Sequence, residues 1–255
     1  MILYFSATGN GKYCAERIAH ETGDRIQAMS TLIKTSQHVV DCGGDEVLGI
    51  VTPTYDWDLP TIVADFLRSA TFVGTERIGY VFLLSTSGAM PGYVLDTLAA
   101  LMVDKGLPPT AQFVVSMPSN VFTFVSKDRS RMQPKLEQGD SELATVIEAV
   151  QGHRAATSNH KRQPQWLKDF VYRLYVSRQV TAAGYYATDD CIGCGTCVRA
   201  CPLNIIRLED KRPVWTQEHC AFCLGCYHRC PKAAIQHGKK TARYGRYTHP
   251  DVKLP

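Results

Sequence analysis

Long apolar runs and a strong excess of charge of either sign are missing from this 255-residue sequence. Its longest apolar stretches, such as residues 80–84, fall far short of the roughly 18 residues a membrane span needs. Lys and Arg number 28 against 24 Asp and Glu, and so mild a surplus does not by itself point to nucleic acid. With 45% hydrophobic and 20% charged residues the chain does not have the composition of a disordered protein. The opening MILYFSATGN has no basic n-region and enters a strand pattern at once, so a signal peptide is not expected and a cytoplasmic protein is. Ten cysteines are too few for a small disulfide scaffold, and their placement is uneven. Cys14 and Cys42 stand alone, whereas the other eight crowd between Cys191 and Cys230. Clustered cysteines without a secretion signal read as metal ligands in a reducing compartment.

Residues 1–150 alternate short β-rich runs with helical patterns, which predicts βαβ units and a parallel sheet. Strands are expected at residues 2–5, 47–51, 77–84 and 113–115, and helices at 12–20, 60–69, 93–104 and 141–150. Residues 25–40 are ambiguous, and one strand must lie there if the sheet has five. Residues 151–188 change character: His153, Arg154, His160, Lys161, Arg162, Lys168, Arg173 and Arg178 face one acid, Asp169. Trp166, Leu167, Phe170, Val171 and Leu174 recur there at helical spacing, predicting a basic linker and an amphipathic helix. Its apolar stripe is expected to pack on one of the two domains; a helix lying on a membrane surface is the rival reading. Residues 189–238 carry the cysteines, and residues 239–255 form a polar, basic tail expected to wrap a surface.

The cysteines form an internal repeat. Cys191-Ile-Gly-Cys194-Gly-Thr-Cys197-Val-Arg-Ala-Cys201-Pro202 is echoed by Cys220-Ala-Phe-Cys223-Leu-Gly-Cys226-Tyr-His-Arg-Cys230-Pro231. Two-residue spacers let three thiolates wrap one cuboidal cluster, while the fourth cysteine of such a run ligates the other cluster of a pair. The expected ligands are therefore Cys191, Cys194, Cys197 and Cys230 for one 4Fe-4S cluster and Cys220, Cys223, Cys226 and Cys201 for the second. Each cluster then staples the two halves of a segment whose own core is small. Zinc is the alternative, but a third cysteine at short spacing followed by x3-C-P, all duplicated, fits zinc poorly. Cys14 and Cys42 read as buried or incidental thiols. The repeat resembles the bacterial-type two-cluster ferredoxins, and that resemblance implies low-potential one-electron transfer and sensitivity to oxygen.

Ser6-Ala7-Thr8-Gly9-Asn10-Gly11-Lys12 lies between the first strand and the first helix, where N–H groups and the positive helix end can hold a phosphate. The glycine spacing excludes a Walker A loop and a Rossmann fingerprint. Thr52-Pro53-Thr54-Tyr55-Asp56-Trp57-Asp58-Leu59-Pro60 and Ser85-Thr86-Ser87-Gly88-Ala89-Met90-Pro91 each follow a central strand. All three loops lie at the carboxyl ends of strands, where open parallel sheets bind ligands. Together they resemble the flavodoxin family over residues 1–150. The resemblance implies an α/β fold with a five-stranded parallel sheet of order 2-1-3-4-5 and bound FMN. On it, Ser6, Thr8, Gly9, Asn10 and Gly11 cradle the phosphate, Thr54 and Tyr55 or Trp57 cover the flavin ring, and Ser87 and Gly88 approach its edge. This loop has no glycine between Tyr55 and Asp58, and the third offers no second stacking aromatic before Tyr93.

The whole chain resembles natural flavodoxin–ferredoxin fusions, with Met117-Pro118-Ser119-Asn120 and Gly245-Arg246-Tyr247 as further signatures. That resemblance implies an electron-transfer protein with a small C-terminal α+β two-cluster domain. The basic linker and tail favour acidic redox partner proteins. A flavin-dependent reductase with the clusters as electron feed is the alternative, although no convergent acid/base set is visible and Asp56 and Asp58 read as loop caps. Nucleic-acid binding is not expected.

Overall fold

Alternation fixes the sheet. In β1 (Ile2–Tyr4) and the following Phe5, Ile2 and Tyr4 point to one face and Leu3 and Phe5 to the other, and all four are buried. β4 (Val47–Pro53) and β6 (Tyr80–Ser87) are buried along nearly their whole length, as strands covered on both faces must be. With β2 (Ile26–Ala28) and β7 (Ala111–Ser116) they form a parallel sheet of order β2-β1-β4-β6-β7. Numbering only these five strands in chain order, that is 2-1-3-4-5, as expected. The computed structural model describes residues 1–157, 162–178 and 180–254.

One face of the sheet is covered by α1 (Asn10–Thr22) and α5 (Gln133–Gln151), where Tyr13, Ile18, Leu143 and Ile147 meet Tyr4, Phe82 and Leu84. The Phe82 ring occupies the space a side chain at Gly49 would need, its Cζ 2.2 Å from where a Cβ would stand. The opposite face takes α2 (Met29–Lys34), α3 (Thr61–Ser69) and α4 (Val94–Asp104), with Val63, Leu67, Leu95 and Leu98 against Leu48, Ile50 and Leu83. The ambiguous residues 25–40 hold β2, α2 and the start of β3 (Val39–Asp41). β3 pairs in parallel with β5 (Thr71–Val73) as a separate two-stranded sheet that the sequence pattern did not announce. α5 starts eight residues earlier than the pattern at 141–150 suggests. Pro134 lies in its first turn, where a missing N–H costs nothing, and Gly139 lets the helix approach the Ser116 carbonyl.

Past α5 the chain follows the sheet edge: His153 stacks on Tyr80 with centroids 5.0 Å apart, and the Gln112 N–H donates to the Ala156 carbonyl. His160 and Lys161 of the basic segment, and the side chain of Arg178, lie outside the described residues. The amphipathic helix exists as α6 (Gln165–Arg178), but the expected apolar stripe is not its buried face. Trp166 and Phe170 are exposed, whereas Tyr175 is buried and Tyr172 and Lys168 turn inward, because their hydroxyl and ammonium groups find partners there. The C-terminal part adds β8 (Tyr185–Ala187), α7 (Thr196–Ala200), the hairpin β9 (Ile206–Glu209)–β10 (Arg212–Trp215), α8 (Gly225–His228) and β11 (Ile235–His237). β8 pairs with β11 and β9 with β10, both antiparallel. Tyr175, Cys201, Ile205 and Tyr227 pack into the same core as Leu59 and Val63, so the two parts share one hydrophobic interior. Among the described residues no helix is long and apolar enough to cross a membrane.

Candidate functional site

The carboxyl ends of β1, β4, β6 and β7 open into one cavity. It is lined by residues 6–8, 10 and 11, by 53–55, by 86–88 and by 118–121. α1 begins at Asn10 behind Gly9, whose φ of 110° is open to glycine, and no side chain caps its first N–H groups. Those groups, with the Thr8, Thr54 and Ser87 hydroxyls nearby, form a donor set suited to a phosphate and a sugar-like chain. Ser6 Oγ accepts from the Gly9 N–H at 3.1 Å and so shapes the loop. Lys12 turns away, donating to the Lys253 carbonyl and pairing with Glu16. Gly11 lets the helix pass the Phe5 carbonyl, where a Cβ would stand 2.8 Å from the oxygen. Gly88 lies against Ser119 in the same way.

A second, wider cavity of about 400 Å³ continues from the first across Asp56, Trp57, Met90, Phe124, Arg131 and Lys135. The two aromatics of the β4 loop therefore separate. Trp57 lines the outer cavity, while Tyr55 is buried and meets Tyr175 edge-on. Asp58 is a loop cap, as expected, accepting from the Leu59 N–H at 2.8 Å and the Thr97 hydroxyl at 2.6 Å, with Lys168 at 3.0 Å. Burial alone pushes the Asp56 carboxyl up from its ordinary range.

The cysteines converge in two groups that cross the repeat. Cys191, Cys194, Cys197 and Cys230 line one small pocket that is otherwise mostly apolar, with Ile192, Leu208 and Ile235. In the other group, burial first and then the neighbouring Cys223, Cys220 and Cys201 push the Cys226 thiol far up. Burial also pushes Cys220 up to about 11 and Cys223 to about 12, each with Cys201 among its neighbours. The backbone repeats as the sequence does. The residues flanking the second cysteine of each run are left-handed in both halves: Gly193 and Gly195 in one, Phe222 and Leu224 in the other. Asn204 and Ala233, each three residues past a fourth cysteine, are left-handed as well. An L-residue in that region costs on the order of 1–2 kcal/mol, so the second half keeps its turns against local preference. The Phe222 and Ala234 N–H groups donate to the sulfurs of Cys220 and Cys230. Eight thiols in two fourfold groups, with amides aimed at sulfur, form a donor set that fits two iron–sulfur clusters. Cys14 and Cys42 are buried elsewhere, and burial raises both thiols.

The two sites adjoin. The Asn120 amide approaches the Cys223 carbonyl at 3.4 Å, and Gly225 lies near the Ala7 carbonyl. The group of Cys201, Cys220, Cys223 and Cys226 thus borders the cavity. The other group reaches the surface, where Cys194 is exposed. His228 joins them: its Nε2 donates to the Asn120 carbonyl at 2.5 Å and its Nδ1 accepts from the Tyr247 N–H. This is the neutral ring, and burial pushes its pKa down to about 4. The tail then crosses behind the loop between β1 and α1. The Tyr247 hydroxyl donates to Asn10 Oδ1, the His249 N–H donates to the Thr8 carbonyl, and the His249 ring stacks on Tyr13 at 4.0 Å.

Ser6, Thr8, Asn10, Gly11, Thr54, Tyr55, Ser87 and Gly88 are all at the first cavity; Gly9 is behind it and Trp57 beside it. Of the residues after β7, Pro118, Ser119 and Val121 line both cavities and Asn120 the first; they are not among the expected site residues, although they follow a strand's carboxyl end like the other three loops. Phe124, Arg131 and Lys135 lie beyond any motif, and only the fold brings them in.

Residues 183–231 match the 4Fe-4S dicluster domain family. A ferredoxin of Methanothermococcus thermolithotrophicus is 40% identical over 50 residues, which are 18% of this chain and 83% of that ferredoxin. The formate dehydrogenase iron–sulfur subunit of Haemophilus influenzae is 36% identical over 66 residues, 22% of this chain. The chain spans only about a fifth of that subunit's length (20%). Among solved structures, the Fusobacterium nucleatum flavodoxin bound to flavin mononucleotide aligns with 60% of this chain and 96% of its own. The identity is 14% and the TM-score 0.34, so the nature of the N-terminal part rests on its own strand order rather than on that likeness. Through its C-terminal segment the chain belongs to the 4Fe-4S dicluster ferredoxins, and that segment follows a doubly wound parallel sheet of flavodoxin-like order.

Proposed function

We propose that this is a cytoplasmic electron-transfer protein that relays low-potential electrons between two 4Fe-4S clusters and a bound FMN, and on to a redox partner protein. Cys191, Cys194, Cys197 and Cys230 would hold the outer cluster, and Cys201, Cys220, Cys223 and Cys226 the inner one. Ser6, Thr8, Gly9, Asn10 and Gly11 would bind the FMN phosphate, and Thr54, Tyr55, Trp57, Ser87 and Gly88 the ribityl chain and ring. The observation that carries this reading is the contact of the Cys223 and Gly225 turn with Asn120 and Ala7 at the cavity. Clusters exchange single electrons and a flavin one or two, so the pair supplies a converter between the two kinds of chemistry. The chain's own part is to align the carriers, bury the inner one and keep water from the wire. The basic residues of the linker and of the tail, Lys239, Lys240 and Arg243 among them, favour an acidic partner. Protein purified without oxygen is expected to carry about eight irons, about eight acid-labile sulfides and one FMN. About two zinc ions and no sulfide would refute the reading.

The wider cavity beside Trp57, with exposed Phe124 and the cations Arg131 and Lys135, favours one second reading: reduction of a small substrate directly at the flavin. Turnover of such a compound with an artificial reductant and no protein partner would support it.

A further inference from the structure

Two guanidinium groups, Arg229 in the second half of the repeat and Arg246 in the tail that packs on it, are placed as buried cations seldom are. Arg246 lies over the Tyr227 ring, its Cζ 3.2 Å from the centroid, and its Nη2 donates to the carbonyls of Ala233 and Ile235 at 2.8 Å. Its Nε and Nη1 are buried without a partner, and so is Nη2 of Arg229. Among the described residues neither guanidinium is paired with a carboxylate, although a lone buried charge is strongly disfavoured. The ring under Arg246 belongs to Tyr227, the residue after Cys226 of the inner group, and Cys226 is its charged neighbour; Arg229 has Cys223 of the inner group and the like-charged Arg199 near it. The outer group differs. Its cations Arg199, Lys211 and Lys232 are exposed, share the surface with Asp189, Asp190, Glu209 and Asp210, and act through water.

We propose that Arg229 and Arg246 are the counter-ions of the inner cluster and hold its reduction potential above that of the outer one, so that electrons enter at the exposed Cys194 end and run inward to the flavin cavity. The inference rests on the ligand assignment proposed above. Reduction adds one negative charge to the cluster, and burial in an apolar site by itself disfavours that added charge. Two fixed positive charges in the same low-dielectric region act in the opposite sense and more strongly than exposed ones. Without them the buried inner cluster would be the harder of the two to reduce, and the wire would run uphill toward the flavin.

The test is an anaerobic redox titration of the full chain followed by EPR, on protein whose iron and sulfide contents have been measured first. A Cys230→Ala variant, which removes an outer ligand, identifies the signal of the inner cluster. Arg246→Met and Arg229→Met are each expected to lower the inner potential by about tenfold in the reduction equilibrium, 59 mV for a one-electron couple, while the outer potential moves by less than half as much. Arg246→Lys, which keeps the charge, is expected to restore most of the shift, and Arg199→Met to leave the inner potential in place. Should Arg246→Met lose iron, Arg229→Met decides alone. Full iron content with an unmoved inner potential in the methionine variants overturns the inference and leaves the cluster assignment standing. Wild-type protein without iron and sulfide overturns the assignment itself.

Discussion

Tyr247 tests whether the C-terminal tail is part of the proposed flavin site. Its ring is buried, and its hydroxyl donates to Asn10 Oδ1 at 2.5 Å, while the Asn10 amide nitrogen donates to the Pro118 carbonyl at 2.9 Å. Both ends of that amide are thus held, one by the tail and one by the loop after β7. Tyr247→Phe keeps the ring and removes only the hydroxyl. Losing one neutral hydrogen bond costs about 1 kcal/mol, rising toward about 3 kcal/mol if the abandoned acceptor is sealed from water. Asn10 is half-buried and faces the cavity, so water can take the place of the hydroxyl and the lower end applies, about 1–1.5 kcal/mol. If that energy goes into presenting the phosphate loop, FMN should dissociate about five- to tenfold more readily. The assay is the rise in flavin fluorescence when loaded protein is diluted, read beside thermal unfolding. Unchanged FMN release with a lowered Tm would refute the reasoning, because the hydroxyl would then be securing only the tail.

Crossed ligation predicts that Cys201→Ala and Cys230→Ala each remove about half of about eight irons, and from different clusters; loss of the outer cluster in Cys201→Ala, seen by EPR, would break the crossing. His249 should make stability depend on pH. Burial lowers its pKa against the opposing charges of Asp251 and Asp140, with Tyr13 stacked on its ring. The unfolded chain then binds the proton first, so stability is full above the ordinary value near 6.5 and falls as pH drops below it. His249→Phe should flatten that limb of a pH–Tm profile, and an unchanged slope would count against the assignment. Lys168→Met strands the nearly buried Asp58, which keeps the Thr97 hydroxyl and the Leu59 N–H. A loss of about 1–2 kcal/mol and a Tm lower by about 2–8 °C are expected, with faster proteolysis around α6.

The legible parts of this molecule are those that a repeating pattern or a forced geometry encodes. Four of the five sheet strands show as alternating or continuous apolar runs, β2 lies in the ambiguous run at 25–40, and the cysteine repeat shows in its spacing alone. The pair β3–β5 does not show, because three residues carry too little periodicity to compete with α2 beside them. The face of α6 misleads for a related reason. Trp166 and Phe170 are the larger hydrophobes, yet Tyr172 and Lys168 turn inward because each finds an acceptor there, the Leu59 carbonyl and Asp58. Hydropathy ranks side chains by transfer to oil, whereas this interface selects those whose polar ends can be satisfied. The residues 118–121 could have been found, since the edge rule that selected the other loops applies equally after β7. Phe124, Arg131 and Lys135 have no such rule behind them.

The arrangement also explains why the tail belongs with the cysteine segment rather than ending at it. A two-cluster segment by itself places the inner cysteines close to one another, but nothing in its own chain fixes the distance from Cys223 to a cavity more than a hundred residues upstream. Here that distance is set twice. His228, two residues past Cys226, holds the Asn120 carbonyl of the β7 loop, and through its other nitrogen it holds Tyr247, which in turn holds Asn10 of the phosphate loop. Each link is a directional hydrogen bond to a group that has another partner, so a displacement of α8 is felt at both loops at once. Electron transfer requires little of the protein except constant placement of its carriers, and a ring of hydrogen bonds closed across α8, the tail, α1 and the β7 loop supplies that placement without a rigid linker between the two halves.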